Sequence, residues 1–551
     1  MLLNIGFGLT VVAALLLLLI AGGVAWYGDH LSAAATVNGQ TITKDAYAKQ
    51  LAINAFRVDY QSRRIRTLLA AGQMRTADAT ARQSLLDQRT QQADTIALEQ
   101  LIDGQVQAEL AAKQGVTVTP ADVDARLAEE ATTPEMRHAW MIEVKPEVPT
   151  GASVASDTTK AAAKAKADAA LADLKAGKDW TEVAKAVSTD ASKDQGGDLG
   201  FVDKSATLDP AFSVAIQAAA KDTPTDVIEG ADGTYRIGRV TEIAAPVVDA
   251  TLADQVKSAG ISMDDFRAAL GRDVTRTRLS DAITAPYLVA GPQRQTSEIY
   301  MAESSSESAD GAIKVRHILY SPNGDASKAS TVAADDPAWA VAEAAAKATY
   351  EKLKADPSLF DSIARAESDE TSAATTGGKL PYFAPVDSID SSFAAAIFKG
   401  GFQPGELLEP VKSAFGWHVV QVMHYPTDAE WSAKLIADIN AGKQTFADAA
   451  RDNSDLANAA QGGDMGWVVK GLEPAEVEKA IFAAPIGKVS DPLVVAGDGT
   501  YIFLVNKEEA RTPDANQIAQ LNATVFPNWY SVQKAAFDIT RDASITATAT
   551  N

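Results

Sequence analysis

The sequence predicts an α+β protein in which an N-terminal transmembrane helix and a helical module accompany one small domain used three times. The first observation is a repeat: residues 196–201, 377–382 and 462–467 contain GGDLGF, GGKLPY and GGDMGW. The second is that a short amphipathic helix pattern and an acidic turn precede each copy. The third is that β-branched and aromatic runs, typical of strands, flank the middle copy. Because the copies are unevenly spaced, they indicate a repeated domain and not a solenoid.

Composition narrows the classes of function. With 551 residues the chain is long enough for three or four domains. The formal net charge of −22 argues against nucleic acid or anionic membrane surfaces as partners. The absence of cysteine excludes disulfides and thiolate catalysis. The five histidines have no short metal-ligand spacing, and no hydrolase, P-loop or dinucleotide motif occurs, so we expect neither a metal nor another cofactor.

The chain begins with a nearly unbroken apolar run from Ile5 to Trp26. About 22 residues at ~1.5 Å each are enough to span a hydrocarbon core of ~30 Å. We therefore predict a transmembrane anchor at residues 1–28, with the bulk of the chain outside the cell membrane. A cleaved signal peptide is the alternative, although the apolar core of a signal peptide is usually only about 7–15 residues long.

A helical module is predicted at residues 29–133. An Asn-Gly turn precedes Thr43, which is a suitable N-cap for the next helix. Helical spacing of apolar residues then continues to about Lys113, and Thr119 followed by proline predicts the start of another helix.

The helical pattern resumes at residues 247–311, with helices predicted up to Tyr300. The first copy of the repeat, residues 134–246, separates the two helical parts. We interpret this copy as an insertion into the module, which is tolerated where the two chain ends lie close together at a surface.

The middle copy, residues 312–426, is the most complete. It opens with the strand-like run VRHILY, which contains His317, and closes with FGWHVVQV, which contains His418. The order of histidine strand, helices, Gly-Gly turn, apolar helix and Gly-aromatic-His strand resembles the parvulin family of peptidyl-prolyl cis-trans isomerases. The resemblance implies a small antiparallel sheet with flanking helices, and isomerase (rotamase) activity toward X–Pro bonds.

The resemblance also implies roles for individual residues. His317 and His418 correspond to the paired histidines of the family, and Glu370 falls where the family has Cys or Asp. Four residues correspond to the apolar slot for the proline ring: Leu380, Ile389, Phe393 and Phe398. Two departures stand out: Glu370 is longer than Asp, and Lys379 begins a Lys-Leu-Pro sequence where the family has Asp-Leu-Gly.

Isomerisation of an X–Pro bond needs neither a nucleophile nor a metal. The rotation barrier of ~18–20 kcal/mol falls when the proline ring is held in an apolar slot, water is excluded and polar groups favour the twisted amide. The two histidines are suited to supplying such polar groups. The structural alternative is that they are buried, neutral and hydrogen-bonded to each other, and simply hold two strands together.

The other two copies depart further from the family pattern. The first retains five corresponding residues: His138, Asp190, Leu199, Leu208 and Phe212. Tyr235 stands where its second histidine is expected. The third copy, residues 427–510, has Tyr501 at that position and lacks an opening histidine strand. We expect both to serve binding or architecture, with activity mainly in the middle copy.

Residues 511–551 contain a last amphipathic helix pattern that includes Trp529. The succession of helical module, parvulin-like domains and C-terminal helix resembles the SurA/PpiD/PrsA-like class of extracytoplasmic chaperones. The resemblance implies that the C-terminal helix packs on the helical module, and that the protein is a single-pass inner-membrane foldase. Its implied partners are unfolded or nascent secreted and membrane proteins with exposed X–Pro and apolar segments, and the protein-translocation channel. The alternative is a non-enzymatic holdase chaperone or scaffold that uses degenerate parvulin domains for binding.

Overall fold

The structure is a computed structural model that describes residues 28, 30–148, 155, 157–230, 232–425 and 427–546. Apart from Gly28, the predicted anchor lies outside the described residues. Within the described ranges, no helix is both long and apolar enough for a membrane span.

The helical module begins with a β-hairpin that leads into four helices. Its elements are β1 (Ala33–Val37), β2 (Gln40–Thr43), α1 (Lys44–Ala70), α2 (Thr76–Gln91), α3 (Ala93–Lys113), α4 (Pro120–Ala131) and β3 (Thr132–Thr133). The side chain of Thr43 accepts a hydrogen bond from the backbone N–H of Ala46, and Thr119 forms a capping box with Asp122. Both predicted N-caps are therefore confirmed.

The first domain follows. Its elements are β4 (Met136–Val144), α5 (Asp157–Lys175), α6 (Trp180–Val187), β5 (Asp198–Val202), α7 (Pro210–Ala218), β6 (Ile228–Glu229) and β7 (Tyr235–Ala244). The antiparallel sheet has the strand order β5-β4-β7-β6. After it, β8 (Val247–Val248) pairs with β3, so the chain leaves and re-enters the helical module through adjacent strands.

Two module helices and a long strand come next: α8 (Leu252–Ser258), α9 (Met263–Thr284) and β9 (Gly291–Ala302). The sequence predicted helices up to Tyr300, and this prediction is wrong for the residues of β9. Ile299 and Met301 are fully buried while Tyr300 between them is not, which is the alternation of a strand. The preceding residues 293–298 are all polar, and the strand partner of β9 lies far along the chain, so the local pattern did not show the strand.

The middle domain contains β10 (Lys314–Tyr320), α10 (Pro337–Ala355), α11 (Phe360–Glu367), α12 (Ala373–Thr376), α13 (Ser391–Ile397), β11 (Val411–Lys412) and β12 (Trp417–His424). Its antiparallel strand order is β10-β12-β11. Isolated bridges join Arg316 to Lys379 and Ile313 to Phe383, so the segment after the Gly-Gly turn lies along the outer side of β10.

The third domain contains α14 (Asp428–Asn440), α15 (Phe446–Asn453), β13 (Asp464–Val468), α16 (Ala475–Ala483), β14 (Leu493–Val495) and β15 (Gly499–Arg511). Its sheet has the order β13-β9-β15-β14, with β9 paired to both neighbours. As predicted, no histidine strand opens this domain; its opening strand is β9, which contains no histidine and comes from before the middle domain. The middle domain is thus inserted into the third domain.

The chain ends by returning to the helical module with α17 (Ala515–Lys534), β16 (Ile539–Arg541) and α18 (Ala543–Thr546). β16 adds to the N-terminal hairpin in the order β16-β1-β2. From α17, Phe526 enters the core formed by Leu98, Ile102 and Val106 of α3, and Trp529 packs against the same cluster. The first and last parts of the described chain therefore share one apolar core.

Candidate active site

The antiparallel ladder of the middle domain brings the two predicted histidines together. His317 on β10 lies opposite Val420, and His418 on β12 lies opposite Leu319. The two histidines are therefore diagonal neighbours on one face of the sheet. Their rings stack with centroids 5.1 Å apart, and their Nδ1 atoms are 2.9 Å apart. Both side chains are buried.

Ser413 extends this pair into a chain of hydrogen bonds. Its Oγ lies 2.6 Å from Nε2 of His418 and accepts a hydrogen bond from the backbone N–H of Phe415 at 3.0 Å. Sequence reasoning missed Ser413, because it lies in a loop and returns to His418 only through the turn at Gly416. The one available signal was a small polar residue shortly before the Gly-Trp-His run.

Glu370 lies at the exposed side of the histidine pair. Its Oε2 is 3.6 Å from Nε2 of His317, and its side chain is 40% exposed. That Nε2 is buried and has no hydrogen-bond partner among the described residues. Interaction with His317 lowers the pKa of Glu370, although burial acts in the opposite direction. The ionised carboxylate favours the tautomer of His317 that carries its proton on Nε2.

This tautomer sets one direction for the whole chain of hydrogen bonds. Ser413 donates to Nε2 of His418, and Nδ1–H of His418 donates to Nδ1 of His317. Nε2–H of His317 then faces Glu370. Burial and the neighbouring His317 lower the pKa of His418 to about 3, so this ring is neutral at physiological pH. His418 thus offers fixed, neutral polar groups and not an imidazolium acid.

The four predicted slot residues lie in one apolar cluster beside the histidines. The ring centroid of Phe393 is 5.0 Å from that of His418 and 6.0 Å from that of His317. The other three are partly buried against the same cluster: Leu380, Ile389 and Phe398. Asp390 caps α13 by accepting a hydrogen bond from the backbone N–H of Phe393, and it also accepts one from Ala414. This carboxylate therefore ties the slot to the loop that carries the serine.

The lysine that departs from the family pattern lies at the interface with the third domain. Lys379 is buried, its Nζ donates to the backbone oxygen of Arg451 at 3.0 Å, and Nζ lies 3.8 Å from Asp361. Burial lowers its pKa to about 8. Nearby, Arg316 pairs with Asp452 of the third domain at 2.9 Å. The substitution therefore serves the contact between domains.

The Gly-Gly turn identifies equivalent positions on the first strand of each domain, because the second glycine accepts a backbone hydrogen bond from that strand. The backbone N–H of His317 donates to Gly378, and the backbone N–H of Met141 donates to Gly197, both at 2.8 Å. Met141 therefore occupies the first-histidine position of the first domain, and the prediction that His138 does so is wrong. A β-bulge directly after His138 helps to explain the error, because it shifts the register of this strand.

The second-histidine position of the first domain also differs from the prediction. Arg236 lies opposite Glu143 on the ladder, as His418 lies opposite Leu319 in the middle domain. Arg236, and not Tyr235, is therefore the equivalent residue. Its guanidinium is engaged with the carboxylate of Glu143 at 3.1 Å.

The third domain replaces both histidines. Glu298 donates its backbone N–H to Gly463, which places it at the first-histidine position, and Tyr501 lies at the second, as predicted. Burial raises the pKa of Glu298 to about 7, while a hydrogen bond from Asn458 opposes the shift. Among the described residues, only the middle domain combines two histidines at these positions.

Comparison with known proteins identifies the class. The PPIC-type PPIase domain matches residues 317–424 and 429–507, and a second model of the same description matches residues 126–243. Together these matches span more than half of the chain. The chain therefore belongs to the PPIC-type, or parvulin, family of peptidyl-prolyl isomerase domains, and the resemblance inferred from its sequence is confirmed.

Curated relatives identify the kind of multidomain protein. The chain is 24% identical over 344 residues to Chaperone SurA of Saccharophagus degradans, covering 57% of this chain and 74% of the relative. It is 34% identical over 111 residues to Chaperone SurA of Yersinia pestis bv. Antiqua, covering 20% of this chain and 22% of the relative. Among solved structures, PrsA from Bacillus subtilis is 18% identical, covers 44% of this chain and 90% of its own, and has a TM-score of 0.16. The two sequence matches make the chain a homologue of SurA chaperones.

Proposed function

We propose that the protein is a foldase that binds unfolded polypeptides and accelerates cis/trans isomerisation of X–Pro bonds in its middle domain. The observation that carries the proposal is the buried, hydrogen-bonded pair of His317 and His418 beside the apolar slot of Phe393. The similarity to PPIC-type domains and to SurA chaperones supports both parts of the proposal.

In the proposed mechanism the proline ring of the substrate enters the slot, and the X–Pro amide lies over the histidine pair. Because hydrogen bonds hold both imidazoles in place, the rings present polar N–H and ring nitrogen atoms without a cost of reorganisation. Glu370, at the exposed side, holds the proton of His317 on Nε2 and faces arriving substrate. Exclusion of water and these fixed dipoles favour the twisted amide and so lower the rotation barrier of ~18–20 kcal/mol.

An exchange assay on X–Pro peptides tests this proposal. The full chain and its His317→Gln variant are compared by NMR exchange spectroscopy, with the same peptides and protein concentrations. We expect the variant to lose at least tenfold in rate, which corresponds to about 1.4 kcal/mol in the barrier. A folded variant with an unchanged rate would contradict the proposed site.

The competing function is a holdase or scaffold without isomerase activity. It is favoured by Met141 and Glu298, which replace the first histidine in the other two domains. Suppression of aggregation of an unfolded client, measured by light scattering, reports on holding alone. If the unmodified chain suppresses aggregation but does not accelerate X–Pro exchange, its function is that of a holdase and not of a foldase.

We also propose that residues 1–28 anchor the protein in the inner membrane, with the described domains on the extracytoplasmic side. The apolar run from Ile5 to Trp26 supports an anchor. Newly translocated secreted and membrane proteins are then the clients, and the translocation channel is a neighbour. Carbonate-washed membranes should retain the full-length protein; a soluble product with a mature N-terminus near Ala35 would instead identify a cleaved signal peptide.

A further inference from the structure

The helical module encloses a large cleft outside the isomerase site. Its volume is about 1090 Å³, and residues of α1, α2, α3, α4, α9 and α17 line it. Clefts of this size are large enough for a ligand of several residues. A second cleft of about 810 Å³ shares Gln61 and Arg89 with the first and reaches Leu199 and Phe201 of the first domain. Because the two clefts adjoin at these residues, an elongated ligand such as an extended polypeptide fits them better than a small ion does.

Three arginines of the first cleft come from three different helices. Arg66 on α1, Arg89 on α2 and Arg276 on α9 are all exposed and line the cleft. Within the described part of the chain, no carboxylate forms an ion pair with any of the three. They differ in this from Arg57 and Arg126 of the same cleft, which both pair with Glu130.

The lining of the cleft contains more arginines than carboxylates, with five of the former and four of the latter. Asp59 pairs with Arg63, and Asp273 pairs with Arg57 at 2.8 Å. Glu130 is held by Arg57 and Arg126. Asp281 is the remaining acidic group of the lining, against three arginines without an ion pair. In a chain of net charge −22, this small local excess of positive charge distinguishes the cleft, and its three guanidinium groups without an ion pair among the described residues are suited to binding carboxylates.

Apolar side chains lie between these arginines. Val58, Ile96 and Phe526 contribute to the same lining, and each is at least partly buried. The cleft therefore offers apolar contact together with guanidinium groups, which bind carboxylates through paired, charge-assisted hydrogen bonds.

We infer that this cleft binds extended client segments in which Asp or Glu side chains alternate with apolar residues. The inference rests on the proposed chaperone role and adds the class of ligand that the helical module selects. Arg66, Arg89 and Arg276 would each face a client carboxylate, while the apolar lining receives the neighbouring side chains.

Direct binding of short peptides tests the inference without isomerase activity or aggregation as the readout. A fluorescein-labelled, proline-free peptide with alternating Glu and Leu residues and an amidated C-terminus is titrated with the full chain, and anisotropy is recorded. Its Gln isostere is titrated in parallel. We expect the Glu peptide to bind roughly tenfold more tightly at low salt, with the advantage lost at high salt. The same Gln peptide with a free C-terminus shows whether a terminal carboxylate is sufficient.

Matched variants test whether the three cleft arginines cause the preference for the Glu peptide. The triple variant Arg66→Gln, Arg89→Gln, Arg276→Gln should bind the two amidated peptides equally. A control triple variant with the same change of net charge replaces exposed lysines outside the cleft: Lys166→Gln, Lys185→Gln and Lys257→Gln. This control should keep the preference for Glu.

Equal binding of both peptides to the unmodified chain would overturn the inference, as would a preference that survives the arginine changes. Circular dichroism monitors folding, and the single variant Arg89→Gln, which should reduce the preference about two- to threefold, remains informative if the triple variant unfolds. Failure here leaves X–Pro exchange intact, so the two proposals are distinguishable.

Discussion

Lowering the pH should destabilise the middle domain through His418. Burial and His317 hold the pKa of His418 in the folded state at about 3, against an ordinary value of 6.5 for histidine. Between these values the unfolded chain binds a proton that the folded domain does not, so the free energy of unfolding falls as the pH falls. The slope approaches about 1.4 kcal/mol per pH unit, which gives a loss of about 2 kcal/mol between pH 7.5 and pH 5.

Amide hydrogen exchange of the β10 and β12 peptides measures this local stability. The unmodified chain and its His418→Gln variant are compared at pH 7.5 and at pH 5, so that intrinsic exchange chemistry cancels. Asp428, whose pKa burial raises to about 6, has the opposite dependence, but it is present in both proteins and cancels as well. The ratio of the protection factor of the unmodified chain to that of the variant should be about 30-fold lower at pH 5 than at pH 7.5. A parallel loss in both proteins would refute the buried, neutral His418.

Three further predictions concern the site. Ser413→Ala leaves Nε2 of His418 without its partner, which costs ~1–3 kcal/mol of stability, and it should lower the X–Pro exchange rate. Ser413→Thr should restore that rate. An unchanged rate in Ser413→Ala would contradict the proposed chain of hydrogen bonds. Glu370→Gln should slow exchange without changing the thermal melt; a full rate would remove Glu370 from the site. In Gly378→Ala the new Cβ would lie 2.2 Å from the backbone oxygen of His317, so limited proteolysis should find the middle domain open, and native-like resistance would argue against this close approach.

Local patterns predicted the features of the site that neighbouring residues determine. The histidine strand, the Gly-Gly turn and the apolar helix each depend on a few consecutive residues, and the turn glycines have positive φ in all three domains. The paired histidines and the slot residues of the middle domain follow from these motifs, whereas Ser413 does not. His317, Phe393 and His418 were therefore identified from sequence, and the fold brings them together.

The errors concern long-range pairing. β9 was missed because its partner β15 lies beyond the inserted middle domain. Met141 and Arg236 occupy the positions equivalent to the two histidines because of the register in which β4 pairs with β7. A β-bulge shifts this register without a clear signal in the local sequence. Ser413 reaches its partner only through a tertiary turn. None of these relations is encoded by residues adjacent in the chain.

Because the middle domain is inserted into the third domain, the assays should use the full chain and not an isolated middle domain. Lys314 of the middle domain is buried against Asp428 at 3.0 Å, and Lys379 is buried at the same interface. Excision of residues 312–426 would expose these charges and remove their partners, so loss of activity in that fragment would be ambiguous. The exchange assays should therefore be done on the full chain.

The most direct test of the central claim compares X–Pro exchange by the full chain with substitutions at equivalent positions of the three domains. We expect His317→Gln and His418→Gln each to reduce the rate at least tenfold. Met141→Leu in the first domain and Tyr501→Phe in the third should leave the rate unchanged. Full activity in the folded histidine variants, or a comparable loss from either control, would contradict the assignment of isomerase activity to the middle domain.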